Sequence, residues 1–198
     1  MEQKSGSSGS SSDLEVPTDP EDYEKYKKAI IKQKRVLRRY MRLKRNNFVK
    51  NHEAELTDNW YIKQYVPKFE QILKENREFL NFISEGNKHN GSTIEISSYN
   101  PITYECNITP VVSELIKANK ELNLNLSLPV VVEKGEPLEF REYKEGDHLE
   151  KSHLFEVLEP TPDKKRVYPQ VIIVPLMGFM DDCHRIGYGG GFYDRSIH

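Results

Sequence analysis

The stretch QVIIVPLMGFMDDCHRIGYGGGFYDRS (170–196) decides the fold, because it joins an apolar run to a glycine-rich segment. The apolar residues of 170–179 predict a buried strand. Four glycines, three aromatic residues, two arginines and an aspartate follow within 184–196, which we define as the glycine loop. Open α/β sheets bind their ligands where such strands end. The glycine loop is therefore the first candidate site.

The glycine loop contains the residue types of a phosphate site. Its glycines can adopt positive φ angles and bring backbone N–H groups close to an anion. Arg185 and Arg195 add charged donors, and Asp194 offers a hard oxygen to the Mg²⁺ that accompanies ATP. The spacing matches neither the Walker A pattern nor the dinucleotide pattern. From the residues alone, a plain turn and a nucleotide site are equally well supported.

Length and composition describe one domain of a polar protein. The chain has 198 residues, 36% of them apolar, a mean hydropathy of -0.73 and a formal net charge of -2. No apolar run approaches the about 20 residues that cross a bilayer, so we expect no membrane partner. The N-terminal residues have no signal-peptide core, and the two cysteines, Cys106 and Cys183, suit free thiols in a reducing compartment. We therefore expect a cytoplasmic protein.

The N-terminal part of the chain divides into a tail and a basic helix. Residues 1–20 are rich in Ser, Gly, Pro and acidic residues, which predicts a disordered tail and places the domain at 21–198. Over 23–50 no Gly or Pro interrupts the chain, and apolar residues recur at helical spacing among many Lys and Arg. This pattern predicts an amphipathic helix with a basic face. That face has three possible roles, which are a solvated surface, a contact with nucleic acid and a nucleotide site.

The middle of the chain alternates helical and strand patterns. A second helix is predicted from Asp58 to about residue 83, with an interruption at Pro67. A third helix is predicted over 108–121, with Thr109 as its N-cap. Strands are predicted over 93–97, 124–134, 138–143 and 170–179. The alternation favours an α/β fold, a three-layer α/β/α architecture with a mixed, mostly parallel sheet.

Four segments carry specific motifs in a fixed order. They are KRVLR (34–38), YECNITP (104–110), PLEFREYKEGDHLEKSHLFEVLEP (137–160) and VPLMGFMDDCHRIGYGGGFYDR (174–195). The last segment resembles the signature of 5-formyltetrahydrofolate cyclo-ligases. The other three resemble that family's N-terminal helix motif, its Glu-to-Pro turn and its segment that ends in Glu-Pro. The resemblance covers about residues 22–198.

The resemblance implies an ATP- and Mg²⁺-dependent enzyme that converts 5-formyltetrahydrofolate to 5,10-methenyltetrahydrofolate and releases ADP and phosphate. Mg²⁺ is the implied cofactor, and ATP is a co-substrate. The implied partners are these small molecules, without nucleic acid, and the implied state is a monomer. Phosphoryl transfer of this kind depends on positioned charges and needs no covalent protein nucleophile.

The same resemblance implies roles for individual residues. Arg185 and Tyr193 are the implied catalytic residues, and Asp194 is the implied metal ligand. Lys34 and Arg38 fit one helix face, because residues four apart project together. The implied ATP-binding residues are Lys34, Arg38, Arg185, Ile186, Gly187, Tyr188, Gly189, Gly190, Gly191, Phe192 and Tyr193. The implied folate-binding residues are Glu105, Phe155, Tyr188, Gly189, Gly190, Gly191 and Phe192.

Two departures from the family pattern define the alternatives. After Arg195 only SIH remains, whereas the family continues through a helix and further strands, so we expect a C-terminally truncated domain with an exposed sheet edge. Glu156 stands where the family has glycine, beside the expected folate pocket. Both departures favour a non-catalytic paralogue that binds folate or nucleotide. A further alternative is a nucleic-acid-binding module that uses the basic helix over 23–50.

Overall fold

The computed structural model describes residues 16–86 and 93–197. The predicted tail over 1–20 lies largely outside these residues, and the first helix already begins at Pro20. The helices are α1 (Pro20–Asn51), α2 (Asp58–Glu75), α3 (Arg77–Gly86), α4 (Thr109–Ala118) and α5 (Phe192–Ile197), with a short 3-10 turn at Lys120–Leu122. The strands are β1 (Ile94–Ser97), β2 (Leu124–Val130), β3 (Glu139–Glu142), β4 (Leu149–Lys151), β5 (Leu158–Pro160), β6 (Arg166–Val167), β7 (Val171–Ile172), β8 (Gly178–Phe179) and β9 (Arg185–Ile186).

Helix α1 spans 32 residues, as its amphipathic pattern predicts. Asp19 caps its N-terminus, where the carboxylate accepts the backbone N–H groups of Glu21 and Asp22. Pro20 fits the first helical position. An N–H group there has no acceptor within the helix, so a proline loses no hydrogen bond. No side chain of this described helix is fully buried, so α1 lies on the surface. None of the described helices is both long enough and apolar enough to cross a bilayer.

Helix α2 continues through Pro67, so the predicted interruption at this residue is wrong. A proline inside a helix removes one hydrogen bond and costs about 3 kcal/mol. Packing of Ile62, Val66 and Phe69 against the core offsets this cost. The chain breaks instead at Asn76, between α2 and α3.

Five strands form a mixed sheet in the order β6-β3-β2-β1-β7. Strand β1 pairs in parallel with β2 and β7, whereas β3 pairs antiparallel with β2 and β6. The predicted α/β class with a mixed sheet is confirmed, and within the described part of the chain this sheet divides evenly between parallel and antiparallel pairings. Strands β4 and β5 form one separate hairpin, and β8 and β9 form another.

Helices cover both faces of the five-stranded sheet. Side chains alternate along a strand, so Ile94 and Ile96 of β1 point to one face, where they pack in a cluster with α2 and α4. The strand register places Phe140 and Val167 on the other face, where Phe192 of α5 packs against their cluster. Packing in these two clusters fixes the positions of the strands, and the candidate site lies at the ends of those strands.

The predicted N-cap of α4 is wrong. The helix begins at Thr109, and its N-cap residue is Ile108, which makes no side-chain cap. The Thr109 hydroxyl has other partners, because it lies 3.0 Å from Ser98 Oγ and donates to the Tyr99 carbonyl over 3.1 Å. This side chain therefore ties the start of α4 to the end of β1.

The predicted strand over 170–179 is much shorter in the structure. Strand β7 comprises Val171 and Ile172, and one further bond runs from the Ile173 N–H to the Ser97 carbonyl. Pairing stops there because β1 ends at Ser97 and because Pro175 has no N–H to donate. The chain then forms the β8–β9 hairpin, and β9 is the first part of the glycine loop.

Candidate functional site

A cavity of about 690 Å³ lies at the carboxyl ends of three neighbouring strands. Tyr99 follows β1, Val131 follows β2 and Pro175 follows β7, and all three residues line the cavity. This is the edge at which open α/β sheets bind their ligands. The topology therefore places the cavity where the sequence predicted a site.

Every residue to which the family resemblance gives a role lines this cavity. They come from α1, from the segment between β1 and α4, from the β4–β5 hairpin and from the glycine loop. They are Lys34, Arg38, Glu105, Phe155, Arg185, Ile186, Gly187, Tyr188, Gly189, Gly190, Gly191, Phe192, Tyr193 and Asp194. The fold brings these residues together, while their individual roles stay predictions.

Arg38 joins the glycine loop to α1. Its Nε–H donates to the Gly187 carbonyl over 2.8 Å. Gly189 has a φ of +104°, and a Cβ added there would lie 3.2 Å from the Arg38 Cζ. A side chain at this position would be both strained and crowded, so the close approach of loop and helix requires glycine.

Cationic side chains line one side of the cavity. Lys34 and Arg38 come from α1, and Arg185 comes from β9. Arg185 donates from Nη2 to the Asp194 carboxylate. Arg195 departs from the sequence expectation, since it lies outside the cavity lining and donates to the Gly190 carbonyl over 2.9 Å. Arg195 therefore fixes the backbone of the loop.

Glu105 places a buried carboxylate in the cavity wall. Its side chain is 4% exposed. Oε2 accepts the Ile102 backbone N–H over 2.8 Å, and the Glu105 N–H donates back to the Ile102 carbonyl over 3.3 Å. Oε1 has no hydrogen-bond partner among the residues that the structure describes. A buried acceptor of this kind is suited to a donor on a ligand.

Arg45 is a residue of this site that the sequence analysis missed. Its Nη1 lies 3.9 Å from the Glu105 Oε1, and its Nη2 donates to the Tyr188 hydroxyl. Its position in the sequence could have indicated this role. Arg45 follows Arg38 by seven residues, which places both side chains on one face of α1. Many other basic residues of α1 obscured that signal.

Tyrosine hydroxyls surround Glu105. Burial raises the pKa of Tyr193, the Glu105 charge raises it further, and Arg185 lowers it. Burial likewise raises the pKa of Tyr99 and of Tyr188. All three phenols therefore stay protonated near neutral pH, where they can donate hydrogen bonds. Tyr99 lines the cavity without having been predicted.

The β4–β5 hairpin contributes an aromatic ring and a second buried carboxylate. Phe155 meets Phe192 edge to face, with the ring centroids 5.5 Å apart. Glu159 is buried, lines the cavity and accepts the Val131 N–H over 2.9 Å. The sequence offered no signal that separated Glu159 from the other glutamates of this segment.

Asp194 is the predicted metal ligand. Residues 16–86 and 93–197 contain no group of three or more His, Cys, Asp or Glu side chains that could hold a metal ion. The Asp194 side chain is 67% exposed, and Arg185 pairs with its Oδ1. This donor set fits a Mg²⁺ that arrives with a nucleotide, because Mg²⁺ often takes one or two carboxylates together with substrate phosphates.

The fold and the cavity define a mixed-sheet α/β protein with a glycine-lined site at the carboxyl ends of its parallel strands. The sequence profile of the 5-formyltetrahydrofolate cyclo-ligase family matches residues 30–198, most of the chain. The chain belongs to this family.

Similar proteins agree with this assignment. The 5-formyltetrahydrofolate cyclo-ligases of Escherichia coli (strain K12) and of Escherichia coli O157:H7 are each 32% identical to this chain over 97 residues. These matches cover 47% of this chain and 51% of each relative, so the chain spans about half the length of the curated relatives that it matches. The NMR structure of Aquifex aeolicus 5,10-methenyltetrahydrofolate synthetase is similar with a TM-score of 0.54 and 25% identity, over 82% of this chain and 70% of that one.

Proposed function

We propose that this protein catalyses the ATP-dependent ring closure of 5-formyltetrahydrofolate to 5,10-methenyltetrahydrofolate, with release of ADP and phosphate. One observation carries the proposal. A single cavity presents cations, glycine backbone and the buried Glu105 carboxylate, whose Oε1 accepts no hydrogen bond within the described residues. A reaction between an anionic nucleotide and a heterocycle rich in N–H donors needs both kinds of surface. The names of the similar proteins support the same reaction.

The nucleotide occupies the cationic side in this proposal. Lys34, Arg38 and Arg185 neutralise phosphate charge, and the glycine loop offers backbone N–H groups. Asp194 would hold the Mg²⁺ that accompanies the nucleotide. When bound, Mg²⁺ would neutralise charge on the phosphates.

The folate occupies the side of Glu105. The unpaired Oε1 accepts the amino and ring N–H donors of the pterin. Phe155 and Phe192, which already contact each other, form the apolar surface beside it. The cavity can thus hold the formyl group near Arg185 and Tyr193.

The proposed chemistry takes two steps. The γ-phosphoryl group of ATP moves to the formyl oxygen, and ADP leaves. N10 of the folate then attacks the formyl carbon, the C–O bond breaks, phosphate departs with that oxygen, and N10 loses its proton. Arg185 compensates charge on the transferring phosphoryl group, and the protonated Tyr193 donates a hydrogen bond to the oxygen that receives it. The enzyme acts as a cytoplasmic monomer on these small molecules in our proposal.

The sequence suggested that Glu156 lies beside the folate pocket and so favours a non-catalytic protein. The position of its side chain does not support that argument. Its side chain is 85% exposed, pairs with Lys151 over 2.6 Å and lies outside the cavity lining. The folate pocket is therefore free of this extra carboxylate. Turnover remains the property that separates an enzyme from a binding paralogue.

The decisive experiment mixes the protein with Mg-ATP and 5-formyltetrahydrofolate and follows the near-ultraviolet absorbance of the methenyl product. We expect ATP-dependent growth of that absorbance. Lys34→Ala should raise the KM for ATP about tenfold, since it removes one charge from the phosphates. Lys32→Ala, an exposed neighbour on the same helix, is the matched control and should leave KM unchanged. A folded wild-type chain that binds both ligands without turnover would instead establish the binding paralogue.

A further inference from the structure

Arg45 connects three separate parts of the site. It extends from α1, donates from Nη2 to the Tyr188 hydroxyl in the glycine loop, and lies 3.9 Å from Glu105 in the segment before α4. Its side chain is 21% exposed, against 4% for Glu105. Its Nε is buried and has no hydrogen-bond partner within the described ranges. This guanidinium is therefore committed to the interior of the site.

Glu105 needs a charged partner, because a buried carboxylate is costly unless it is paired and hydrogen-bonded. The Ile102 N–H holds Oε2 but supplies no full charge. The other groups that face the carboxylate are the phenols of Tyr99, Tyr188 and Tyr193, which are neutral near pH 7. In the part of the chain that the structure describes, Arg45 makes the one ion pair of Glu105.

We propose that Arg45 is a positioning residue, which pairs with the Glu105 carboxylate and keeps it directed into the cavity for the N–H donors of the folate. This inference rests on the proposed function and adds a residue to it. Arg45 acts through Glu105 and through the loop that carries Tyr188. It touches neither ligand in this arrangement.

The test measures dissociation constants for 5-formyltetrahydrofolate by calorimetry, in a double-mutant cycle of Arg45→Met and Glu105→Gln. We expect Arg45→Met to weaken binding about tenfold, because Glu105 loses its ion pair. Glu105→Gln should weaken binding at least as much, because it removes the acceptor charge itself. In the Glu105→Gln background, Arg45→Met should change affinity by less than about twofold.

Two further variants control for charge and for folding. Arg42→Met removes the same charge from an exposed position of α1 and should leave folate affinity unchanged. Arg45→Lys keeps the charge and should retain affinity within about threefold. This variant tests the proposal even where Arg45→Met fails to fold, since a loss as large as that of Glu105→Gln would overturn it.

The outcomes separate this inference from the proposed function. A wild-type chain that binds ATP but no folate overturns both. A wild-type chain that binds folate, with effects of Arg45→Met and Glu105→Gln that simply add, overturns the role of Arg45 alone. Coupled effects of the two substitutions, with affinity retained in Arg45→Lys, support it.

Discussion

Replacement of Gly189 by alanine tests whether the glycine loop must approach α1. Its φ of +104° is strained for any residue with a side chain, which costs about 1–3 kcal/mol. The added Cβ would also lie 3.2 Å from Arg38 Cζ, so the guanidinium that bonds the Gly187 carbonyl must move. We expect the loop of this variant to move away from α1. ATP binding must then return the loop to its strained position, which lowers ATP affinity about fivefold to a hundredfold.

Gly146→Ala is the matched control for Gly189→Ala. Gly146 has a φ of +91°, but a Cβ added there meets no atom within 4 Å, and the residue lies outside the cavity lining. Gly146→Ala should lower the unfolding temperature through backbone strain alone, so it shows whether strain far from the site affects ATP binding. Calorimetric titration with ATP should show the loss of affinity in Gly189→Ala alone. Equal ATP affinity in the two variants would refute the close approach of loop and nucleotide.

Two other substitutions give sharp outcomes. Burial raises the pKa of Glu95, so this carboxylate contributes stability below its ordinary pKa of about 4.3, and the contribution is lost as pH rises. Glu95→Gln should therefore unfold at a higher temperature than the wild type at pH 7 and at the same temperature below about pH 4, and equal stability at pH 7 would contradict this. Asp194→Asn should raise the Mg²⁺ concentration for half-maximal turnover about tenfold, while a calorimetric titration with 5-formyltetrahydrofolate stays unchanged. An unaltered Mg²⁺ requirement would place the metal elsewhere.

Local patterns predicted the helices and the location of the site. The spacing of apolar residues in α1 and the capping side chain of Asp19 act within one or two turns, so the sequence displays them directly. The position of the glycine loop follows from the apolar strand that precedes it. Pro67 and Thr109 were misjudged for a different reason, because packing against the core and a bond to Tyr99 outweigh their local preferences.

The partnership of Arg45 and Glu105 shows what the sequence could not supply. Helical periodicity places Arg45 on the face of Arg38, yet it does not tell which carboxylate that face will meet. The answer depends on how α1 packs against the glycine loop and the segment before α4, which is a property of the packed fold. Several arginines of α1 fit the helical pattern equally well, and burial beside Glu105 distinguishes Arg45 among them. The buried contacts of Arg45 with Glu105 and Tyr188 are therefore better evidence of a role than its place in a basic run.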